Sequence, residues 1–444
     1  MATRPDLLQG DIRSTLISMT LPMMFGIVSL MLFNIADLYF VSRLGTAPLA
    51  AMGFTFPVCF TVISLAIGLG IGTSAILARL LGAGDKGEAR SLASDNLIAV
   101  TVLILVLSLL FKLLLPFVFT AMGAEAELLP LIFSYMEIWL IGSVFLVVNM
   151  VCNACMRATG DTKTPAMLMA GSSLLNFFLD PLLIFGVGPF SGLGIMGAAI
   201  ASCIAWSLTT VVALYILFHK KKLLVFQPMD IGRCASHSYR VMKIGIPAAL
   251  SNMMTPLAQG VLTYLVSAHG AEAVAAFGVG NRIESLSLLV CLSLSMTLPP
   301  IISQNYGAGQ IQRVKLAYRL SSKFAVIWQI AVFILLLLVA EPVANAFSSN
   351  TEVQKIIILW VCIVPIGFGF QAVTFLTASG FNALHQPMRA MRISIVRLFI
   401  FTLPFAWCGS QLFGIEGMFS ALVIANALMA IFSFKAMNRY IQKL

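Results

Sequence analysis

Long apolar stretches, separated by short polar segments, follow one another along the whole chain. About a dozen of them reach the roughly 20 residues that an α-helix needs to cross a bilayer. The pattern therefore predicts an all-α polytopic membrane protein with twelve transmembrane helices. We place the predicted spans at residues 14–42, 49–80, 93–119, 128–156, 166–187, 195–218, 243–268, 274–305, 320–346, 353–380, 393–410 and 417–436.

The second half of the chain repeats the first. The segment DLYFVSRLG, which begins at Asp37, aligns with LTYLVSAHG, which begins at Leu262, at an offset of 262 − 37 = 225 residues. Pro22 aligns with Pro247 at the same offset, as do LAAMG with VAAFG and LLGAG with NYGAG. A register held across separate segments is not expected by chance. It predicts two halves of six helices each.

Because six is an even number, both halves begin on the same side of the membrane. They are therefore expected to form a parallel repeat about an axis along the membrane normal. We predict an N-terminal six-helix bundle over residues 1–218, a cytoplasmic linker over 219–242 and a C-terminal six-helix bundle over 243–444. Such repeats are typical of transporters, in which the substrate cavity lies between the halves.

Composition and charge agree with this interpretation. Hydrophobic residues make up 60% of the chain and charged residues 10%, and the mean hydropathy is +0.99. The formal net charge is +10, but the lysines and arginines concentrate in loops on one face, whereas the opposite loops hold little more than Arg43 and Lys355. The positive-inside rule then predicts that both termini are cytoplasmic. The basicity reflects topology, so we expect no nucleic-acid partner.

Four acids lie well inside predicted spans: Asp37, Glu137, Asp180 and Glu284. An ionisable group at such a depth costs several kcal/mol unless it faces a cavity or a partner. Counting about 1.5 Å per residue from the outer end of each span places five polar side chains roughly 9–13 Å below the outer surface. These five are Asp37, Tyr135, Glu137, Asp180 and Ser202.

We predict a cation-coupling site at this level, formed by Asp37, Asn176, Asp180 and Ser202. Two carboxylates in a poorly hydrated pocket repel each other, so at least one can load a proton. Alternatively, Asp37, Asp180 and Asn176 can hold Na⁺ through their oxygens. The remaining predicted members, as substrate-contacting or supporting residues, are Asn34, Tyr135, Glu137 and Asn153.

Two prolines are placed where helix bending could affect this site. Pro181 follows Asp180 directly and cannot donate the backbone hydrogen bond of a regular helix. Pro22 precedes Asp37 by fifteen residues in the first span. We predict helix-bending roles for both, with a static kink as the alternative.

Several segments resemble signatures of the multidrug and toxic compound extrusion (MATE) transporters. They are LGIGTSAILARLLGAGD, NACMRATGDTKTP, LNFFLDP, GIMGAAIAS and GVGNRIES. The resemblance implies twelve helices in two six-helix bundles around a V-shaped cavity, and efflux of amphipathic cationic drugs in exchange for H⁺ or Na⁺. In the DinF-like prokaryotic branch, it implies coupling through the motif residues matching Asp37, Asn176 and Asp180, with Ser202 at a position usually held by threonine. Bending of the first helix at Pro22 is part of the implied mechanism.

The second half departs from the other prokaryotic branch, which has carboxylates on its seventh and tenth helices. Leu262 stands at the repeat position of Asp37. We interpret Glu284 as a member of a structural ion pair with Arg282 or Arg397, because buried charges usually pair. Coupling is therefore expected in the first half.

The predicted function is secondary multidrug antiport by a monomer among membrane lipids, without a cofactor. A lipid-linked sugar or lipid flippase of the same superfamily is the main alternative. It would need a larger basic cavity and usually fourteen spans. An enzyme is not expected, since the chain offers no nucleophile, metal or general-base constellation.

Overall fold

The computed structural model describes residues 6–188, 190–225, 228 and 230–444. Over these residues the chain is almost entirely helical, with one hairpin of two-residue strands, β1 (Gly186–Val187) and β2 (Phe190–Ser191). The α-helices are α1 (Ile12–Ser42), α2 (Thr46–Gly82), α3 (Lys86–Ala121), α4 (Leu129–Ala158), α5 (Lys163–Phe185), α6 (Ile195–Tyr215), α7 (Ile231–Ser267), α8 (Ala271–Ser287), α9 (Leu289–Gly307), α10 (Ile311–Leu338), α11 (Ala340–Phe347), α12 (Thr351–Ile363), α13 (Phe368–Ala383), α14 (Pro387–Ile395) and α15 (Leu403–Ile441). Two π-helical segments, Ile216–Lys220 and Val396–Thr402, extend α6 and join α14 to α15, and a 3₁₀ turn, Val364–Gly367, joins α12 to α13.

Among the described residues, nine helical segments are long and apolar enough to cross a membrane, and the bent pair α8 and α9 makes a tenth. One of the nine, Pro387–Ile441, has 55 residues, about 80 Å of helix, which exceeds the thickness of a bilayer. Its backbone leaves helical geometry at Phe413 and Gly414, where Gly414 has φ 64°, so this segment supplies two spans. With α7, whose apolar run is interrupted by Asn252 and Gln259, the described helices supply twelve spans.

The chain divides into two compact units. Of the described residues, the first unit contains Leu21–Ala249, and the second contains Asp6–Thr20 and Leu250–Leu444. The division therefore falls inside α1 and α7, whereas the predicted bundles, 1–218 and 243–444, divide the chain at the linker. The first residues of α1 belong to the second unit, and the first half of α7 belongs to the first unit.

Close packing explains why α7 begins in the first unit. A Cβ atom on Gly68 of α2 would lie 2.3 Å from the carbonyl oxygen of Gly245, and one on Gly72 would lie 2.5 Å from that of Val241. Only glycine allows two helix backbones to approach this closely. Such small residues replace a hydrophobic driving force as the basis of helix association in lipid.

Polar contacts attach the N-terminal segment to the second unit. Thr20 and Thr297 share a hydrogen bond of 2.9 Å between their hydroxyls, and the Asn305 amide donates to the carbonyl of Leu7 at 2.9 Å. The second of these bonds also gives a partner to a backbone carbonyl.

The start of α7 is tied to α3 by ionic contacts. Arg233 Nε donates to Asp95 Oδ2 at 2.8 Å, and His237 Nδ1 lies 2.8 Å from the same oxygen. Arg240 Nη1 donates to Glu88 Oε1 at 2.7 Å. Part of the basic linker predicted from the sequence is thus helical and pairs with acids of the first unit.

Candidate functional site

A buried carboxylate on α5 forms the centre of the candidate site. Asp180 is fully buried and Asn176, one turn earlier on the same helix, is 1% exposed. With its amide oriented to satisfy both neighbours, Asn176 donates to the two carboxylate oxygens of Asp180 at 2.6 and 3.1 Å. The Asn176 oxygen then accepts from the hydroxyl and the backbone N–H of Ser202 on α6, at 3.1 and 3.0 Å. This chain of hydrogen bonds fixes the orientation of the Asp180 carboxylate.

The second carboxylate comes from α1. Asp37 Oδ1 is buried, and among the described residues it has no hydrogen-bond partner. Asp37 and Asp180 interact electrostatically, and both act on the buried hydroxyl of Tyr135 on α4. A buried carboxylate oxygen without a donor is costly. It is an acceptor available to a proton or a small cation.

Aromatic rings pack beside the two carboxylates. Phe40 lies three residues after Asp37, and its ring centroid is 5.7 Å from that of Phe177, which lies three residues before Asp180. A second ring of α5, Phe185, is 6.4 Å from Phe40. These contacts join α1 to α5 next to the acids. Their helical spacing from each acid was the signal in the sequence, but aromatic residues are too common in membrane helices for it to be distinctive.

Two indoles meet one turn further along α4 and α6. Trp139 follows Tyr135 by four residues, and Trp206 follows Ser202 by four. Their rings meet edge to face with centroids 6.1 Å apart. Residues four apart share a helix face, so this pair lies directly below the polar level on both helices. The sequence interpretation missed this pair.

Three of the predicted supporting residues do not join this cluster. Glu137 is exposed, and its Oε1 lies 3.8 Å from Nζ of Lys112 on α3. Since Glu137 is two residues from Tyr135, it points about 200° away around the helix. Asn34 is exposed and donates to the carbonyl of Leu30 in its own helix.

Asn153 lies in a separate polar chain of the first unit. Its amide donates to Asn149 Oδ1 at 2.7 Å, and the Asn149 amide donates to Thr209 at 2.8 Å. Asn153 is eighteen residues from Tyr135 along α4, about 27 Å. The Asn153 Oδ1 atom is buried and has no partner among the described residues.

Both prolines lie inside continuous helices. Helix α1 runs through Pro22, and α5 runs through Pro181. One turn after Pro22, a Cβ on Gly26 would lie 3.0 Å from Cα of Ala166, so α1 packs closely on the start of α5. The bending of these helices stays a prediction.

Coordination of sodium by Asn176 would require its amide to turn the oxygen toward Asp180. The Asn176 nitrogen faces Asp180, and its oxygen is occupied by Ser202. A cation between the acids would therefore meet carboxylate oxygens but also an N–H donor. No group of three or more His, Cys, Asp or Glu side chains suited to a metal occurs in the described part of the chain.

In the second unit, the predicted ion pair of Glu284 is not formed. Arg282 is exposed, and Glu284 Oε1 instead accepts from the Gln371 amide at 2.8 Å. Arg397 interacts electrostatically with Glu284, but among the described residues no carboxylate oxygen lies within 4.0 Å of the guanidinium nitrogens of Arg397. The prediction relied on the tendency of buried charges to pair, but the direct partner of Glu284 is an amide.

Comparison with known protein families gives one matching family, which covers both halves of the chain. The MatE family model matches residues 22–182 and 247–408. The two matches begin 247 − 22 = 225 residues apart, which is the offset of the internal repeat. This chain belongs to the MATE family of membrane transporters. The resemblance noted in the sequence is confirmed.

Similar proteins cover nearly the whole MATE chain. It is 40% identical over 431 residues to a Shewanella oneidensis FAD transporter, covering 97% of this chain and 95% of the relative. It is 25% identical over 430 residues to a probable multidrug resistance protein NorM of Thermotoga maritima, covering 95% and 92%. The crystal structure of the Vibrio cholerae MATE transporter VcmN in the bent form is 32% identical, with a TM-score of 0.92 and 97% of each chain covered. The predicted all-α polytopic fold with twelve transmembrane helices is confirmed.

Proposed function

We propose that this MATE transporter is a secondary antiporter that exports amphipathic solutes in exchange for protons. The observation that carries this proposal is the carboxylate pair in the first unit. Asp37 has a buried oxygen without a partner among the described residues, and it interacts electrostatically with Asp180, which Asn176 holds in place. Two acids that repel each other at membrane depth suffice to load a proton. Sodium is the second candidate for the coupling ion, and it would need Asn176 to turn its oxygen toward Asp180.

The exchange cycle follows from charge. A proton entering from outside neutralises the Asp37 and Asp180 pair, and the protonated acid donates a hydrogen bond to its neighbour. Loss of negative charge weakens the retention of a cationic solute, which leaves outward. After the carrier turns inward, the proton leaves, and the restored charge attracts the next solute.

Movement of α1 is the proposed link between the acids and the rest of the protein. The ring contacts of Phe40 attach α1 to α5, and Pro22 lies four turns earlier in the same helix. VcmN, with a TM-score of 0.92 to this chain, has been described in a bent form. We propose that protonation changes the bend of α1 at Pro22.

Two substrate classes are supported by relatives. A relative named as a probable multidrug resistance protein supports drugs, and we propose amphipathic cations among them. The relative at 40% identity is named an FAD transporter, which supports a flavin nucleotide as the second candidate. We propose that the protein is a monomer, and that it lies in the inner membrane of a bacterium, as expected for a relative of these bacterial proteins. Both termini are proposed to be cytoplasmic, because basic loops concentrate on that face.

Flux across liposomes tests the proposal. Purified protein is reconstituted, and pH and sodium gradients are imposed separately, with ethidium, norfloxacin or FAD as the solute. A pH gradient at equal sodium should drive transport of at least one of them several-fold above the rate without a gradient. Drive by sodium alone would contradict the choice of proton, and equal rates with and without both gradients would contradict antiport.

A further inference from the structure

A buried arginine of the second unit has no hydrogen-bond acceptor for its guanidinium among the described residues. Arg397 is 8% exposed, and its guanidinium carbon lies 4.9 Å from the ring centroid of Phe375 on α13. Among the described residues, none accepts a hydrogen bond from this side chain. A guanidinium carries five N–H donors, and leaving them unmade away from water is costly.

One acid balances the charge of Arg397 without accepting a hydrogen bond from it. Glu284 on α8 interacts electrostatically with Arg397. It is held by the Gln371 amide, which donates to Glu284 Oε1 at 2.8 Å. The acid is therefore oriented by an amide, and the fork of the arginine remains open. A pair built only for stability would use the bidentate contact that arginine and carboxylate geometry favour.

The backbone around Arg397 is also irregular. Arg397 lies in the π-helical segment Val396–Thr402 between α14 and α15. A π-helical turn contains an extra residue, which rotates the side chains relative to a regular helix, and such turns are frequent at functional sites. The irregular backbone thus occurs at the residue whose donors have no acceptor among the described residues.

The internal repeat places this arginine on the helix that corresponds to α5. Pro165 near the start of α5 aligns with Pro387 at the start of α14. Asn176 follows Pro165 by eleven residues, and Arg397 follows Pro387 by ten. The first half therefore carries an amide and a carboxylate where the second half carries a guanidinium.

We propose that Arg397 forms an oxyanion-binding subsite in the second unit, which holds a carboxylate or phosphate group of the transported solute. The planar fork of arginine matches both groups, and Phe375 packs on the guanidinium and keeps it in place. Glu284 lowers the attraction for anions and keeps binding reversible. This inference rests on the proposed export function for its solute, but the subsite itself can be tested without transport.

Equilibrium binding to purified protein in zwitterionic lipid nanodiscs is the test. Riboflavin and FMN share a ring system and differ by one phosphate, norfloxacin carries a carboxylate, and ethidium carries no oxyanion. Arg397→Gln should raise the Kd of FMN, norfloxacin or both by about tenfold or more, and change those of riboflavin and ethidium by less than about twofold. Arg397→Lys should lie between, since lysine keeps the charge but loses the fork.

Two further variants separate binding from folding. Arg389 is an exposed arginine of the same unit that lies over the ring of Tyr440 at 4.4 Å, so Arg389→Gln is the matched control and should leave every Kd unchanged. Glu284→Gln should tighten binding of the oxyanion ligands several-fold, because it removes the opposing charge. A structural ion pair would instead make Glu284→Gln and Arg397→Gln equally harmful.

The binding test distinguishes failure of the oxyanion subsite from failure of the proposed antiport. Equal weakening of all four ligands by Arg397→Gln, or no effect on FMN and norfloxacin, would overturn the proposal, as would a wild-type protein that binds neither. An effect seen only when anionic lipid is added would assign the oxyanion to a lipid headgroup and overturn the solute subsite. Selective loss of oxyanion binding in a protein that shows no gradient-driven flux would keep the subsite and reject the antiport.

Discussion

The fifth helix of the first half and its counterpart in the second half carry different chemistry at the same turn. Helix α5 presents Asn176 and Asp180, which are hydrogen-bonded to each other and connected to Ser202. Its counterpart presents Arg397, whose donors have no acceptor among the described residues, with Glu284 held apart by Gln371. Repeated helices thus supply a common scaffold, and single side chains decide what each half can bind.

A second pair of equivalent positions, near these two sites, also differs in chemistry between the halves. Glu284 stands 225 residues after Cys59, which acts electrostatically on Tyr135 beside the acids of the first half. A weakly polar thiol in one half thus corresponds to a carboxylate in the other. We interpret the first site as the one that exchanges small cations and the second as the one that recognises an oxyanion.

The strongest test of this difference between the halves is to remove the acids of the first half. Asp37→Asn and Asp180→Asn should each reduce pH-driven ethidium flux by about tenfold or more, because an amide cannot load and release the coupling proton. Flux in liposomes measures the effect. Glu137→Gln, which changes an exposed acid on α4, is the control and should transport normally. Undiminished flux in both aspartate variants would remove the coupling role from this pair.

Removing the amide that orients Asp180 should have a smaller effect. Asn176→Ala deletes donors at 2.6 and 3.1 Å from the carboxylate, and we expect pH-driven flux to fall about threefold to tenfold. The pH at which flux is half-maximal should also move, which a purely structural role would not produce. Asn34→Ala alters an exposed amide that donates to the carbonyl of Leu30 in its own helix, and it should match the wild type.

Loosening the contact between α1 and α5 tests the proposed role of α1 movement in transport. Phe40→Ala removes ring contacts of 5.7 and 6.4 Å to Phe177 and Phe185, which corresponds to about twofold to tenfold in a conformational equilibrium. We expect slower flux with an unchanged number of protons per solute. Phe25→Ala, on the same helix and 61% exposed, is the control. A changed proton stoichiometry would place Phe40 in coupling itself.

The smallest expected effect concerns the loop between α4 and α5 in the first half. Burial raises the pKa of Asp161, but hydrogen bonds from Lys221 and Thr164 outweigh this and hold the pKa below its usual value. Its contribution to stability is therefore present above the pKa of the unfolded chain, about 3.9, and is lost as the pH falls through the lower folded value. Asp161→Asn should lower the Tm by about 2–4 °C at pH 7.

A change of pH and a second variant test that account of Asp161. The difference in Tm between Asp161→Asn and the wild type should narrow as the pH approaches and passes below about 4. The exposed pair of Glu352 and Lys355, 2.7 Å apart, offers the control Glu352→Gln, which should shift the Tm little at any pH. A deficit of Asp161→Asn that is independent of pH would show that the charge is not responsible.

The spans, the repeat and the acids at one level could be predicted because membrane depth and helical spacing follow directly from sequence position. Position around a helix could not be predicted from depth alone, so Glu137 was grouped with Tyr135 although it points to the opposite side of α4. The orientation of Asn176 between Asp180 and Ser202 depends on two other residues and appears only in three dimensions.

Other features depend on how helices pack. The division of α1 and α7 between two units depends on close packing at Gly68 and Gly72 and on the Thr20 and Thr297 contact, none of which shows in hydropathy. The π-helical segment around Arg397 has no breaker residue inside it, so the sequence pattern continues as an ordinary helix.

Proton release on solute binding is the most direct test of exchange at the Asp37 and Asp180 pair. Purified protein in weakly buffered solution is titrated with ethidium while a pH-sensitive dye reports free protons. We expect the wild type to release about one proton per ethidium bound, and the double variant Asp37→Asn and Asp180→Asn to release close to none. Equal proton release by the two proteins would contradict exchange at this carboxylate pair.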